Sequence, residues 1–407
     1  MATTKTGSLT IAGSGIASVA HITLEVLSYL QEADKIYYAI VDPVTEAFIQ
    51  DKSKGRCFDL RVYYDKDKMR SETYVQMSEV MLRDVRSGYN VLAIFYGHPG
   101  VFVCPTHRAI SIARSEGYTA KMLPGVSAED YMFSDIGFDP AVPGCMTQEA
   151  TSLLIYNKQL DPSVHNIIWQ VGSVGVDNMV FDNKQFHLLV DHLERDFGSI
   201  HKVIHYVGAI MPQSATVMDE YTISDLRKED VVKKFTTTST LYIPPREIAP
   251  VDQRIMQALE FSGNGDRYMA LSQLRGVHAR NSGLCAYGPA EQAAVDKLDH
   301  HTPPDDYEVL RASPAIRRFT EDLALKPDLR SRYKEDPLSV LDAIPGLTSQ
   351  EKFALSFDKP GPVYKVMRAT PAAIAAGQEH SLDEIAGSAD SESPGALATT
   401  IVVIVHI

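Results

Sequence analysis

Short apolar runs alternate with longer amphipathic segments from residue 8 to about residue 245. The short runs predict buried strands and the longer segments predict helices, so we expect an α/β fold with a largely parallel sheet. The predicted strands are residues 9–12, 35–41, 91–95, 119–123, 166–171, 203–207 and 238–243. Ligands of open α/β sheets bind at the carboxyl ends of strands, so the turns after these runs are the candidate binding positions.

The pattern changes after the two prolines at 244 and 245, and from about residue 305 it becomes a series of short helical segments. Pro314, Pro327 and Pro337 stand where first helical turns are expected, and the sequence from Thr348 to Glu351 has the form of a capping box. The spacing predicts four or five short helices over residues 306–369.

Two further changes mark the end of the chain. Beyond about Ala376 small polar residues dominate, and the sequence GSADSESPGA has the composition of a flexible linker. The last nine residues, TTIVVIVHI, form a β-branched run without acidic or basic residues other than one histidine. Such a run prefers an extended backbone, and if exposed it would favour aggregation. We therefore predict four parts: residues 1–248 catalytic, 249–376 helical, 377–398 linker and 399–407 tail.

Composition narrows the possible functions. Apolar residues make up 44% and charged residues 22% of the 407 positions, as in globular proteins, while a net charge of −13 disfavours a nucleic-acid binder. The four cysteines form no C-x-x-C pair, so no metal site is predicted. No run approaches the roughly 18 apolar residues that span a membrane, and the amino terminus lacks the layout of a signal peptide. We expect a cytoplasmic protein that does not insert into membranes.

Three strand-end turns are candidates for ligand contact. The first, GSG at 13–15, permits close backbone approach, but a dinucleotide fingerprint would need a third glycine where Ser18 stands, and a plain tight turn is the alternative. The second, YGHPG at 96–100, exposes backbone groups, or is a structural turn in which His98 bonds locally. In the third, PGVS at 124–127, Ser127 either contacts the ligand or only caps the following helix.

The order of these turns resembles the tetrapyrrole-methylase-like class of methyltransferases over residues 8–245. The resemblance implies a two-lobed α/β fold of class III with S-adenosylmethionine in the cleft between the lobes and S-adenosylhomocysteine as product. Members of that class usually carry an acidic residue in the second turn, where this chain has His98. Acid–base roles assigned to that carboxylate are therefore not transferred.

Along the whole chain, the sequence is similar to the borosin family of fused peptide α-N-methyltransferases and precursors. The motifs that carry this resemblance are GSLTIAGSGI, VDPVTEAFI, YYDKDKMRSETYVQMSE, FYGHPGVFV, MLPGVSAED, HYVGAIMP and YIPP, followed by the helical region and the Val/Ile-rich tail. The resemblance implies that the enzyme iteratively methylates backbone amides of its own tail, which becomes an N-methylated cyclic peptide. It also implies a homodimer that delivers each tail to the partner's site in trans, with the helical region as the clasp, and a separate protease or macrocyclase.

Methylation of an amide nitrogen needs a base, because the lone pair is delocalised into the carbonyl group. It also needs groups that stabilise negative charge on the carbonyl oxygen. Arg70 and Tyr74 are four residues apart and share a face if a helix has begun there. By resemblance to the family, Tyr74 accepts the proton, Arg70 favours its phenolate, and Tyr64 positions the amide. The alternative is a solvated helix start with both tyrosines packed against the lobe.

The predicted cofactor contacts are Tyr96, His98, Val101, Phe102, Ser127, Ala128, Gln170, Gly172, Tyr206, Ala209, Met211, Ser239 and Thr240. The predicted methylated residues are Ile401, Val402, Val403, Ile404 and Val405. Two other functions remain open at this point. One is a related methyltransferase that acts on a separate small molecule or protein, and the other is an inert scaffold whose tail binds a partner by strand addition.

Overall fold

The computed structural model describes residues 6–141, 143–211, 213–259 and 289–389. The chain forms two compact units, Met1–Cys285 and Ala286–Ile407. The first unit contains two five-stranded sheets, and the second is mainly helical within its described residues.

The first sheet of unit one is entirely parallel, with strand order β3-β2-β4-β1-β5. Its strands are β1 Ser8–Gly13, β2 Lys35–Ala39, β3 Arg56–Asp59, β4 Asn90–Phe95 and β5 Thr119–Met122. The helices α1 Leu24–Glu32, α2 Pro43–Lys52, α3 Arg70–Arg86 and α4 Cys104–Ser115 connect them. Alternate residues of β1 face opposite sides: Leu9 and Ile11 pack with α3, and Ala12 packs with α1. Helices therefore cover both faces, and the strand ends are left for binding.

The second sheet is mixed, with strand order β6-β7-β10-β8-β9. Its strands are β6 Cys145–Glu149, β7 His165–Trp169, β8 Lys202–Val207, β9 Val217–Thr222 and β10 Thr240–Ile243. The helices around it are α5 Ala128–Met132, which continues as a π-helix over Phe133–Gly137, then α6 Ala150–Ile155, α7 Phe186–Phe197, α8 Glu229–Val232 and α9 Gln253–Ala258. The amphipathic α7 packs on one face, and residues from α5 pack on the other.

Pairing direction in the second sheet differs from the expectation. Only β6 and β7 are parallel, whereas β7–β10, β10–β8 and β8–β9 are antiparallel. The prediction of largely parallel pairing is therefore correct for the first sheet and wrong for the second. A short connection such as the one between β8 and β9 can join antiparallel neighbours, and apolar periodicity alone does not report strand direction.

All seven predicted strands are confirmed, as β1, β2, β4, β5, β7, β8 and β10. The three strands of these sheets that the sequence pattern missed are β3, β6 and β9, and each lies at a sheet edge. Edge strands are partly exposed and carry polar residues, as in RCFD, CMTQE and VMDEYT, so they lack the apolar run that marks a buried strand.

The second unit begins, among described residues, with α10 Pro289–Val295. Five helices then fall within the region where four or five were predicted: α11 Pro314–Leu325, α12 Pro327–Glu335, α13 Pro337–Asp342, α14 Ser349–Leu355 and α15 Pro360–Met367. The predicted first-turn prolines and the capping box at Thr348 are confirmed. A short antiparallel pair, β11 Val309–Leu310 and β12 Arg368–Ala369, joins the ends of this region. None of the helices in the described ranges combines the length and apolar character that crossing a bilayer demands.

Folded structure continues into the segment predicted as a linker. After α16 Pro371–Ala375, the helix α17 Leu382–Gly387 begins at a capping box between Ser381 and Glu384, and it packs against α14 and α15. The linker prediction is therefore wrong for these residues, because one buried side chain, Ile385, anchors a segment whose overall composition is small and polar. The remaining linker residues, 390–398, and the tail, 399–407, lie outside the described residues.

Ile385→Ala tests this correction. The Ile385 side chain is 0% exposed, so its truncation should lower the free energy of unfolding by about 2–5 kcal/mol, measured by chemical denaturation. Leu382→Ala on the same helix is the control, because Leu382 is 49% exposed and its loss should change stability by less than about 0.5 kcal/mol. Two equally neutral variants would indicate a flexible linker.

Candidate active site

Three glycine turns meet at the carboxyl edge of the first sheet. A Cβ atom on Gly13 would lie 2.2 Å from the carbonyl oxygen of Gly97, and one on Gly125 would lie 2.8 Å from the same oxygen. Gly15 and Gly97 also form an isolated antiparallel bridge, with N–H···O distances of 3.2 and 3.0 Å. These glycines therefore allow the turns to pack on one another. This favours the tight-turn interpretation of GSG over close approach to a nucleotide.

His21 fixes the first of these turns. Its Nδ1 accepts hydrogen bonds from the backbone N–H groups of Ile16 and Ala17, both at 3.1 Å. The neutral ring then carries its proton on Nε2, which lies 2.8 Å from the Tyr131 hydroxyl oxygen and donates to it. Burial lowers the pKa of His21, while the nearby Asp130 carboxylate acts in the opposite direction. The sequence motifs did not predict this residue.

A cavity of about 250 Å³ opens at the ends of β2 and β4. It is lined by Ala39, Ile40, Val41, Arg61, Tyr64, Tyr74, Met77, Phe95, Tyr96, Phe102, Val103 and Pro105. Two predicted catalytic residues, Tyr64 and Tyr74, thus share one cavity with two predicted cofactor contacts, Tyr96 and Phe102. Motifs that are separate in sequence come together because parallel strands end at the same edge.

The phenol rings of Tyr64 and Tyr74 pack edge to face, with ring centroids 6.5 Å apart and ring planes at 87° to each other. Burial, and then the neighbouring Tyr74, raise the pKa of Tyr64 to about 12, while the positive charge of Arg70 acts to lower it. Tyr64 therefore keeps its proton at neutral pH and can act as a hydrogen-bond donor.

Arg70 is the first residue of α3, so the predicted helix start is confirmed and Arg70 and Tyr74 share a helix face. The Arg70 backbone N–H donates to the carbonyl oxygen of Asp177 at 2.8 Å, and its guanidinium donates to the carbonyl oxygen of Val176. The guanidinium carbon also lies 5.8 Å from the centroid of the Phe181 ring. Arg70 consequently ties the start of α3 to the loop after β7, which belongs to the second sheet.

Two further predicted contacts are phenols, the half-buried Tyr96 and the buried Tyr206. Burial, and then the Asp42 carboxylate, raise the pKa of Tyr96 to about 12. The Tyr206 hydroxyl donates to Asp135 at 2.6 Å, and burial and this bond raise the pKa of Tyr206. Both hydroxyls stay protonated at neutral pH, and each residue contributes an aromatic surface, while the Tyr206 hydroxyl hydrogen is engaged by Asp135.

Residues with unusual backbone conformations occur in both lobes. Phe102 has φ of 56° and is 51% exposed, and Gln170 also has φ of 56°. The Phe102 ring lies 5.6 Å from the ring of Trp169, the residue before Gln170. Positive φ is costly for residues other than glycine and is concentrated at functional sites. Phe102, in the segment after β4, and Gln170, directly after β7, are thus strained residues in two segments that the contact between Phe102 and Trp169 brings together.

The YGHPG and PGVS turns contain several bonds that are internal to the fold. Nδ1 of His98 accepts from the Gly100 N–H at 2.9 Å, and the Val101 N–H donates to the His98 carbonyl at 3.1 Å, as in the structural-turn interpretation. The Ser127 hydroxyl accepts from two N–H groups in a complete capping box, and Ala128 begins α5. The Ser127 side chain is therefore used in capping, and its predicted contact with a ligand stays a prediction.

The remaining candidates lie on the second sheet. The buried Ser239 hydroxyl accepts from the Thr236 N–H at 2.8 Å and lies 2.7 Å from His205 Nε2. A Cβ on Gly172 would lie 2.0 Å from the Thr236 carbonyl oxygen. Ser239 and Gly172 thus have packing roles, whereas Thr240 pairs in register with Tyr206 and shares its face of the sheet. Ala209 and Met211 are half-buried on the segment after β8.

A pH series tests the anchoring role of His21. Because burial lowers its pKa below 6.5, the unfolded chain binds a proton at higher pH than the folded chain. The stability that neutral His21 contributes is then complete above about pH 6.5 and is lost as the pH falls from there through the lower pKa of the folded state. The difference in unfolding free energy between the wild type and His21→Asn should shrink from about pH 7.5 to about pH 5. A difference that is constant or grows on acidification would contradict this role.

Comparisons with known proteins agree with this architecture. The family of tetrapyrrole (corrin/porphyrin) methylases matches residues 8–196, and the borosin biosynthesis clasp domain matches residues 286–407. A methyltransferase/ribosomally synthesized type I borosin cyclic peptide precursor from Mycena rosella is 60% identical over 96% of this chain and 97% of that protein. One from Serendipita vermifera subsp. bescii is 54% identical over 94% of each chain. The omphalotin A precursor of Omphalotus olearius is 42% identical over 94% of this chain and 93% of that one. The chain therefore belongs to the borosin family, and it is a methyltransferase with a tetrapyrrole-methylase-like fold.

Proposed function

We propose that this enzyme uses S-adenosylmethionine to methylate backbone amides of its own tail, residues 399–407, repeatedly. The product is the precursor of an N-methylated cyclic peptide that a separate protease or macrocyclase releases. The observation that carries the proposal is the shared cavity, in which Tyr64 and Tyr74 face the predicted cofactor contacts Tyr96 and Phe102. The relatives are named as cyclic peptide precursors, and the proposal extends that description to this chain.

The residues suit the removal of a proton from an amide nitrogen. In the proposed step the N–H proton passes to the deprotonated oxygen of Tyr74 as the nitrogen forms its bond to the methyl carbon. The bond from that carbon to the sulfur of S-adenosylmethionine would break at the same time, and S-adenosylhomocysteine would leave. Negative charge that collects on the carbonyl oxygen needs donors, and Tyr64 qualifies because its pKa of about 12 keeps it protonated. The positive charge of Arg70 acts to lower the pKa of Tyr64, and in this proposal it also favours the imidate that forms when the amide loses its proton.

The cavity suits a cationic methyl donor. S-adenosylmethionine would supply an electrophilic methyl group on a positively charged sulfur. Aromatic faces attract such cations, and three phenol rings, those of Tyr64, Tyr74 and Tyr96, line the cavity. The adenosine and amino-acid parts would contact Phe102, Gln170, Tyr206 and Thr240 together with the backbone of the strand-end turns.

The tail suits the substrate role. Its β-branched residues favour an extended backbone that presents amide groups at regular intervals. Ile401, Val402, Val403, Ile404 and Val405 are the proposed methylation sites, and all five lie outside the described residues. Binding of the tail in a cleft would also cover apolar surface that otherwise promotes aggregation. We place this reaction in the cytoplasm.

Tyr74→Phe removes the proposed base and keeps the ring. We expect the intact mass of the full chain, expressed alone or incubated with S-adenosylmethionine, to stay unmethylated, while calorimetry shows unchanged cofactor affinity. Tyr156→Phe is the matched control, because Tyr156 is 72% exposed on the same unit, and it should gain methyl groups as the wild type does. Continued methylation of Tyr74→Phe would contradict the base assignment. A wild type that never gains mass would point to a separate substrate.

We further propose that the protein is a homodimer in which each tail enters the site of the partner, with the region that matches the clasp family holding the two chains together. Co-expression of two chains of different mass tests this. One carries Tyr74→Phe and an intact tail, and the other is active but lacks residues 399–407. Delivery in trans predicts methyl groups on the tail of the inactive chain. An unmethylated tail, or a monomeric mass by light scattering, would exclude it.

A further inference from the structure

Arg61 lines the same cavity as Tyr64 and Tyr74, and among the described residues it is the one charged residue in that lining. The sequence motifs drew attention to Arg70 as the cation of the site. Arg70, however, is absent from the cavity lining, and its guanidinium donates to the Val176 carbonyl oxygen. The cation that a molecule in the cavity can touch is therefore Arg61.

Two carboxylates fix the orientation of the Arg61 guanidinium. Its Nε lies 3.0 Å from each carboxylate oxygen of Asp59, and its Nη2 lies 2.8 Å from Asp59 Oδ2 and 2.7 Å from Glu46 Oε2. Asp59 is itself held, because it caps the short helix Leu60–Tyr63 by accepting from the Arg61 N–H at 2.8 Å. Glu46 also accepts from the Tyr38 hydroxyl at 2.9 Å. These bonds raise the pKa of Arg61, so it remains charged.

One nitrogen of the Arg61 guanidinium, Nη1, is not used in these bonds. Nε and Nη2 are engaged, whereas Nη1 makes no hydrogen bond to any residue of the described ranges, and the side chain is 40% exposed. A guanidinium is a planar group with donors in fixed directions, so two engaged nitrogens determine where the third points. Arg61 thus has a preoriented donor, Nη1, on a side chain that lines the cavity.

The proposed substrate supplies a matching acceptor. Residues 399–407 contain no acidic side chain, so an ion pair with Arg61 is not available to them. An extended peptide does carry main-chain carbonyl oxygens at a spacing of about 3.3 Å per residue. A charged donor and a peptide carbonyl form a strong hydrogen bond, especially where water is partly excluded.

We propose that Arg61 binds the substrate tail by donating from Nη1 to a main-chain carbonyl oxygen, and that this contact sets which amide nitrogen faces Tyr74. The inference rests on the proposed function, and it deepens that function by naming the residue that controls the register of the tail. Each successive methylation requires the tail to move by a residue. A carbonyl-specific contact suits this, because every residue offers the same acceptor.

The alternative is that Arg61 only connects α2 to the turn after β3. The two roles differ in what they predict for Arg61→Gln in the full chain. A tail contact predicts that the variant adds methyl groups about tenfold more slowly than the wild type, the loss expected for one charged hydrogen bond. It also predicts altered methyl positions in tandem mass spectrometry, with unfolding temperature and cofactor affinity unchanged.

Three comparisons complete the test. Arg61→Lys keeps the charge without the planar fork, so it should recover part of the rate but not the wild-type positions. Glu46→Gln keeps the donor and weakens its support, so it should alter the positions less than Arg61→Gln does. Arg83→Gln, at a 76% exposed residue of α3, is the matched control and should behave as the wild type.

Wild-type rate and positions in Arg61→Gln would overturn the inference. So would a loss of methylation that merely follows a fall in unfolding temperature and is equal in Glu46→Gln, since that pattern belongs to the structural role. The proposed function fails separately, because in that case the wild-type chain itself would gain no methyl groups on its tail.

Discussion

Direct backbone contact among Gly13, Gly97 and Gly125 sets the geometry on which the site depends. No side chain fits between these turns, so their separation is fixed by the main chain itself. Tyr96 comes immediately before this contact and Phe102 follows it by five residues, which places both at the cavity. The second sheet joins the same edge: Phe102 meets Trp169, and a Cβ on Gly208 would lie 3.1 Å from the Ile16 side chain. Arg70 adds a third link through Val176.

Much of the fold could be predicted from the sequence because buried positions of strands and helices are occupied by apolar residues at regular spacing. An interior strand such as β4 is an almost continuous apolar run, and proline or capping residues mark the helix starts of the second unit. The edge strands β3, β6 and β9 were not predicted, because they are partly exposed and therefore contain polar residues. Helix α17 was not predicted, because the average composition of residues 377–398 is small and polar. The local structure depends instead on one buried residue, Ile385, and on one capping box.

The sequence predicted several residues of the site, but it did not predict which other residues they contact. Strand-end turns and the Arg70–Tyr74 spacing pointed to residues that the fold brings near one cavity. Sequence alone did not separate the turn residues that face the cavity from those that bond within the fold, such as Ser127 and Ser239. It also missed Arg61 and His21, whose importance arises from partners distant in sequence, Glu46 and Tyr131. A hydrogen bond between residues that are far apart in the sequence produces no local sequence motif.

In the proposed reaction, methyl groups go to main-chain nitrogens of valine and isoleucine in the tail. Resonance makes those nitrogens poor nucleophiles, and the half-buried phenols of Tyr64 and Tyr74 are the groups that would overcome this. The most direct measurement is amino-acid analysis after complete hydrolysis of chain incubated with S-adenosylmethionine. The account predicts N-methylvaline and N-methylisoleucine, whereas unmodified valine and isoleucine alone, or methyl groups only on side chains such as that of His406, would contradict it.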